Sequence, residues 1–218
     1  MSNPTIAEQV VTFNEGFTAQ VGPRLADVFA REQADLLAAG VPAGAVRAGD
    51  PLPDADLLTA EGTPTGLHAA LGDGPAVLVF YRGAWCPYCN LTLREYQANL
   101  VPALAGRGAS LVAISPQTPD GSRAAATGGE LGFPVLSDSS AALIRRLGLL
   151  TEPSAQARAA HTELGFDVAD SNADGTAGIP FPTVLVVDAD RVVRFADVHV
   201  DYTSRTEVPA VLAAVDAL

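Results

Sequence analysis

The feature that most constrains this chain is a strand signal running through a short turn into a helix signal, with a cysteine at each end of the first helical turn. Ala76-Val77-Leu78-Val79-Phe80-Tyr81 is a continuous apolar, β-branched and aromatic run bounded by Gly74-Pro75 and Arg82-Gly83, the pattern of a strand buried on both faces. After the turn Arg82-Gly83-Ala84-Trp85, helical spacing links Cys89, Leu93, Tyr96 and Leu100. Pro87 takes the first helical position, where no intrahelical N–H bond is lost. Cys86 is therefore predicted at the helix N-cap.

A thiolate at that position can accept backbone N–H groups of the first turn and sits at the positive end of the helix dipole, which favours its ionised form. Residues three apart on one turn have Cα atoms about 5 to 6 Å apart, within disulfide reach, so Cys86 and Cys89 can cycle between dithiol and disulfide. They are the only two cysteines, too few for a disulfide-stapled secreted scaffold and consistent with thiols kept for reactivity. Half of a zinc site would need two more soft ligands. His68, His161 and His199 are widely separated and unpaired, so neither a metal nor a cofactor is expected.

Along the rest of the chain, apolar residues from Ile6 to Ala39 recur at helical spacing, broken at Gly22-Pro23, and predict a helical N-terminal extension. With the Gly- and Pro-rich connector that follows, it makes up residues 1–48, and a compact domain spans 49–218. Leu57-Leu58 predicts a short strand, Ser110 to Ile114 a second buried strand parallel to the first, and Phe133 to Leu136 a short extended piece between two helices. Ser154 to Leu164 is helical in pattern. Thr183 to Val187 and Val192 to Phe195 have hairpin spacing, and Val208 to Leu218 closes with a helix. A mixed sheet flanked by helices results.

The formal net charge of −12 and the lack of a basic run argue against nucleic acid or an anionic membrane as partner. No apolar run approaches the length of a membrane-spanning helix, and the first residues lack the pattern of a secretory signal, so a soluble cytoplasmic protein is expected.

Phe80-Tyr81-Arg82-Gly83-Ala84-Trp85-Cys86-Pro87-Tyr88-Cys89, followed by Ser115-Pro116-Gln117, Phe133-Pro134-Val135-Leu136-Ser137-Asp138 and Asp201-Tyr202-Thr203, resembles the AhpC/TSA peroxiredoxin-like family in order and spacing. The resemblance implies an α/β, thioredoxin-like fold, with a central mixed sheet flanked by helices, and a thiol-dependent antioxidant or disulfide-reducing enzyme. Its substrate would be a hydroperoxide or a disulfide, its reductant a thioredoxin-like protein or a low-molecular-weight thiol, and a homodimer is compatible with it. It also implies that Phe181-Pro182-Thr183 is the loop whose proline is cis and faces the cysteines, although an X–Pro bond by itself favours trans.

Departures from the family pattern leave the roles open. Laying the family's PxxxTxxC pattern on this chain puts Cys89 at the peroxidatic position, Cys86 where Thr is usual and Arg82 where Pro is usual; the family's active-site Arg falls on Pro182. The buried Asp of thioredoxins is replaced by Phe80. The N-cap position thus points to Cys86 as the attacking thiol, towards an external disulfide, and the motif points to Cys89, towards peroxide. Arg82 is a candidate for the missing charge. Trp85 and Tyr88, flanking the pair, are either an apolar contact surface for substrate or simple packing. A hydroperoxide reductase, a thiol-disulfide oxidoreductase without peroxidase activity and a redox-sensing or partner-binding module all fit.

Overall fold

In the computed structural model, which describes residues 4–218, the N-terminal helical pattern forms α1, Ile6–Ala39, started by a capping box between Thr5 and Glu8. Such a box satisfies two N–H groups that the first turn leaves without partners. Two helical limbs meet at Gly22, whose φ of 78° lies outside the helical region immediately before Pro23. The predicted break is there, as a kink that lets α1 wrap around the domain.

The chain continues through β1 (Asp56–Leu58), β2 (Pro64–Gly66), α2 (Leu67–Leu71), β3 (Ala76–Phe80) and α3 (Pro87–Glu95). A π-helical turn, Tyr96–Leu100, joins α3 to α4 (Val101–Ala105), widening the helix just where Pro102 cannot donate an N–H. Next come β4 (Ser110–Ser115), α5 (Pro119–Gly129), β5 (Val135–Ser137), α6 (Ala142–Arg146), β6 (Leu150–Thr151), α7 (Ala155–Glu163), α8 (Val168–Ser171) and β7 (Ile179–Pro180). The last elements are β8 (Thr183–Val187), β9 (Val193–Val198) and α9 (Val208–Asp216).

Seven strands form one mixed sheet in the order β2-β1-β5-β4-β3-β8-β9. β3 pairs parallel to β4, as expected of a strand-helix-strand unit, and antiparallel to β8, while β8 and β9 form the expected hairpin. β6 and β7, two residues each, pair separately; no apolar run announces strands so short.

Alternation along β3 divides the core. Val77, Val79 and Tyr81 face one layer with α1, α3 and α9, whereas Ala76, Leu78 and Phe80 face the other with α2 and α6. Both faces being covered explains why the run is apolar throughout. α1 packs against α3 and α7, with Phe13 edge-on to Tyr88 at 5.2 Å and the Tyr88 hydroxyl donating to Asn14 Oδ1 at 2.7 Å. The N-terminal helix is therefore part of the wall around the cysteines. Among the described residues, no helix is long and apolar enough to cross a membrane.

Candidate active site

The turn between β3 and α3 is held by Gln117, from the Ser115-Pro116-Gln117 segment after β4. Its Oε1 accepts the Ala84 N–H at 2.7 Å, and Asn90 Nδ2 donates to the Ala84 carbonyl at 2.8 Å. Trp85 folds back over Gly83: a Cβ on Gly83 would lie 2.4 Å from Trp85 Nε1, and φ there is +151°. Only glycine allows this turn. Cys86 follows as the N-cap of α3, with Pro87 in its first turn.

Both thiols are free and buried, Cys86 at 0% exposure and Cys89 at 1%. As N-cap, Cys86 makes no side-chain capping bond, contrary to the expectation that its sulfur accepts N–H groups of the first turn. The groups that favour a thiolate gather instead at Cys89, three residues on. Arg205 Nη2 donates to Cys89 Sγ at 3.2 Å, and the Arg82 backbone N–H donates to the same sulfur at 3.4 Å. Burial alone would push the Cys89 thiol up, but the Cys86 hydrogen bond, the Arg205 charge and the Arg82 N–H together hold it well below the ordinary thiol range. Burial, with that same shared hydrogen bond, pushes Cys86 up. Within the pair, the thiolate form is favoured at Cys89 and disfavoured at Cys86.

Arg205 reaches Cys89 from the loop between β9 and α9. Asp201 pins the start of that loop through the Thr203 N–H at 2.9 Å and the Thr203 hydroxyl at 2.6 Å. The Tyr96 hydroxyl, at the π-turn, donates to the Thr206 carbonyl at 2.5 Å. Arg205 Nη1 donates to the Tyr202 and Ser204 carbonyls, each at 2.6 Å, so its fork is fixed before any substrate arrives. A guanidinium thus stands beside Cys89 from the β9–α9 loop, although the position expected from the family pattern is occupied by Pro182.

The remaining predicted residues cluster around the pair. Arg82 is buried, not solvated, at 6% exposure, with its guanidinium carbon 4.3 Å from the Tyr202 ring centroid and 4.9 Å from that of Trp85; stacking on two aromatic faces offsets part of the cost of burying the cation. Trp85, Pro87 and Tyr88 line a cavity that Cys86 also lines. Pro182 and Thr183 are buried beside Cys89, with Thr183 Oγ1 donating to the Phe181 carbonyl at 2.9 Å. The Phe181–Pro182 bond is trans, correcting the cis bond that the family resemblance implied; Pro182 enters β8 as an ordinary strand-start proline.

Two environments meet at the pair. Beside Cys89 is a space of about 10 Å³, bordered by Arg205, Thr183 and His199, room for one water-sized group. Beside Cys86 is a cavity of about 340 Å³, walled by Phe17 and Phe29 of α1, Trp85, Tyr88, His161 and Phe166. His161 stacks on Phe29 at 5.2 Å and lies 4.7 Å from Phe166. Burial, and then the Arg82 charge, lower its pKa to about 4, so it is neutral at pH 7. Among the described residues no cluster of His, Cys, Asp or Glu is arranged to hold a metal.

Sequence reading missed Arg205, although it lies just past the Asp201-Tyr202-Thr203 segment; that proximity was the available signal. The aromatic wall from α1 and α7 had no local signal, since its members lie far apart in the chain.

A family model described as the AhpC/TSA family matches residues 48–196. No curated protein matches the sequence. Among solved structures, peroxidoxin BcpB from Mycobacterium tuberculosis aligns with a TM-score of 0.62 at 24% identity, covering 79% of this chain and 98% of that one. Reduced Prx3 in complex with hydrogen peroxide from Vibrio vulnificus gives 0.61 at 18%, covering 78% and 99%. The bacterioferritin comigratory protein of Xanthomonas campestris gives 0.57 at 23%, covering 78% and 98%. At these identities the likeness establishes the fold, which is thioredoxin-like. Arg205, Tyr202 and all of α1 lie outside the matched segment.

Proposed function

Because the chain belongs to the AhpC/TSA family and is a thiol-dependent oxidoreductase, we propose that it reduces hydroperoxides at Cys89 and closes a Cys86–Cys89 disulfide that a thiol then reopens. The observation that carries this reading is the Arg205 guanidinium at 3.2 Å from Cys89 Sγ. A thiolate is the nucleophile, and a fixed cation beside it favours that form and also the charge developing on peroxide oxygen.

The Cys89 thiolate attacks the nearer peroxide oxygen. An S–O bond forms, the O–O bond breaks, and the departing alkoxide or hydroxide takes a proton to leave as alcohol or water. Cys89 is then a sulfenic acid. Cys86, one helical turn away, attacks that sulfur as its own proton is lost; the S–S bond forms and the sulfenic oxygen leaves as water. Standing where the family motif has Thr, Cys86 first donates a hydrogen bond to the thiolate and then resolves the intermediate. Two external thiols restore the dithiol and become a disulfide.

A second reading, thiol-disulfide exchange through Cys86 without peroxide, is favoured by the cavity at Cys86. Peroxide consumption and disulfide reduction by the wild type, Cys86→Ser and Cys89→Ser separate the two. The peroxidase reading expects the first peroxide equivalent to be consumed by Cys86→Ser but not by Cys89→Ser, whose rate should drop at least about 10³-fold. Peroxide turnover that survives in Cys89→Ser, or is negligible in the wild type while disulfide reduction depends on Cys86, overturns it.

A further inference from the structure

We propose that the aromatic cavity at Cys86 is the subsite for the reductant, and that this reductant is a low-molecular-weight thiol with an aromatic body and a carboxylate. The inference rests on the Cys86–Cys89 disulfide proposed above and names what reopens it.

Size and access come first. A cavity of about 340 Å³ falls within the roughly 300–1,000 Å³ of small-molecule sites. Cys86, fully buried at its edge, is screened by α1, which supplies Phe17 and Phe29 to the wall. The cavity has room for a small thiol beside Cys86, and α1 forms part of the wall that a larger partner would meet first.

Charge supplies the second argument. Arg82 lines the cavity at 6% exposure. Among the described residues no carboxylate lies within ion-pair distance of its guanidinium. Its one hydrogen bond to the site uses the backbone N–H. Glu32 borders a small crevice with Arg82, but it accepts the N–H of Ser154, the N-cap of α7, at 2.7 Å and makes no ion pair with the guanidinium. A buried guanidinium stacked between Tyr202 and Trp85 has no carboxylate partner, and once Cys89 is tied up in the disulfide it also loses the nearby thiolate charge; a ligand carboxylate fits its fork with two parallel hydrogen bonds. In a chain of net charge −12, this arginine is a local exception that selects an anion, while the rings around it select a flat apolar body.

The direction of exchange agrees. In the disulfide, the sulfur that leaves best is the one whose thiolate is most stabilised, and Arg205 stabilises Cys89. The incoming thiolate RS⁻ attacks Cys86 Sγ: the R–S–S–Cys86 bond forms, the Cys86–Cys89 bond breaks, and Cys89 departs as thiolate. A second RS⁻ attacks the outer sulfur and releases RSSR with the Cys86 thiolate. Two thiols are oxidised and one protein disulfide is reduced; of the two thiol protons, one is taken up by Cys86 and one is released.

Trp85, the only tryptophan, lines the cavity and reports binding. The protein is oxidised with one peroxide equivalent, and the Cys86–Cys89 disulfide is verified by thiol titration and mass. Its reopening is then followed with 4-(mercaptomethyl)benzoate, 4-methylbenzyl mercaptan and 3-mercaptopropionate, which have similar thiols but carry both features, the ring alone and the carboxylate alone. The expected result is saturation with the first, at a half-saturating concentration about tenfold or more below either of the others. In Arg82→Met the two benzylic thiols become equivalent. Unreactive 4-methylbenzoate should shift Trp85 emission of the reduced protein and compete with 4-(mercaptomethyl)benzoate. Equal, non-saturating rates for the three thiols in the wild type overturn the proposal without any variant, as does a carboxylate preference that survives Arg82→Met. A chain that forms no Cys86–Cys89 disulfide overturns the functional reading as well; one that forms it and treats the thiols alike overturns only the subsite.

Discussion

Cys86 and Cys89 occupy one helical turn, yet one borders a roomy aromatic cavity and the other a charged niche with space for about one water. Around Cys89, Arg205 and the Arg82 N–H both donate to one sulfur. Around Cys86 the walls are rings from α1, the active-site turn and α7. Under the proposed mechanism, the difference divides reactivity and access between two sulfurs three residues apart: fixed donors act at short range and need a tight fit, whereas recognising an organic group needs volume and apolar surface.

The sharpest way to break this comparison is to remove the charge from the Cys89 side. Arg205→Met takes away a charge-assisted bond worth about 1.5–3 kcal/mol, or about 10- to 100-fold in rate at pH 7. Because Arg205 lowers the Cys89 pKa, wild-type alkylation of Cys89 should stay fast from alkaline through neutral pH and fall only in acid. In Arg205→Met the decline should move up towards the ordinary thiol range. A pH profile of iodoacetamide labelling that does not move would show that Arg205 is not the electrostatic partner.

The Cys86 side can be probed through His161, buried among aromatic rings with its pKa lowered from 6.5 to about 4. The unfolded chain binds this proton between those values and the folded chain does not, so stability is fully present above about pH 6.5 and is lost as pH falls towards 4. The loss should be about 3 kcal/mol at most. In His161→Phe, which keeps a ring in the cluster, that part of the slope should vanish from urea unfolding curves recorded between pH 4 and 7. An unchanged slope would mean that His161 titrates with an ordinary pKa.

Gly83→Ala sharpens the comparison at the turn shared by both sides. The added methyl would press on Trp85 Nε1 in a backbone conformation that favours glycine, so a loss of about 1–2 kcal/mol is expected in denaturant midpoints, together with a change in Trp85 emission. Wild-type stability with unchanged emission would show that the turn relaxes freely.

Much of this architecture was legible locally. The apolar run of β3, the Pro87 start of α3, the hairpin of β8 and β9 and the Gly22-Pro23 break all express backbone preferences or burial on both faces, which neighbouring residues encode. Cys86 at the N-cap was legible for the same reason, but the orientation of its sulfur was not. The charge beside its partner Cys89 comes from Arg205, 116 residues beyond Cys89, which no pattern local to the cysteines announces. The small strands β6 and β7 also escaped, because two-residue strands are defined by pairing and carry no periodicity.

By itself the sequence determined that a redox-capable cysteine pair follows a buried strand at the head of a helix, since spacing, proline and hydrophobic pattern are local properties of the chain. Only the tertiary structure decided which sulfur carries the charge and which meets the cavity. The basic residues number thirteen; the turn singles out Arg82 as a candidate, but only the fold places Arg82 against two rings and Arg205 on Cys89. Coulombic and hydrogen-bonding effects on a thiol act over a few ångströms of space, and that proximity is created when the β9–α9 loop and α1 close over the sheet.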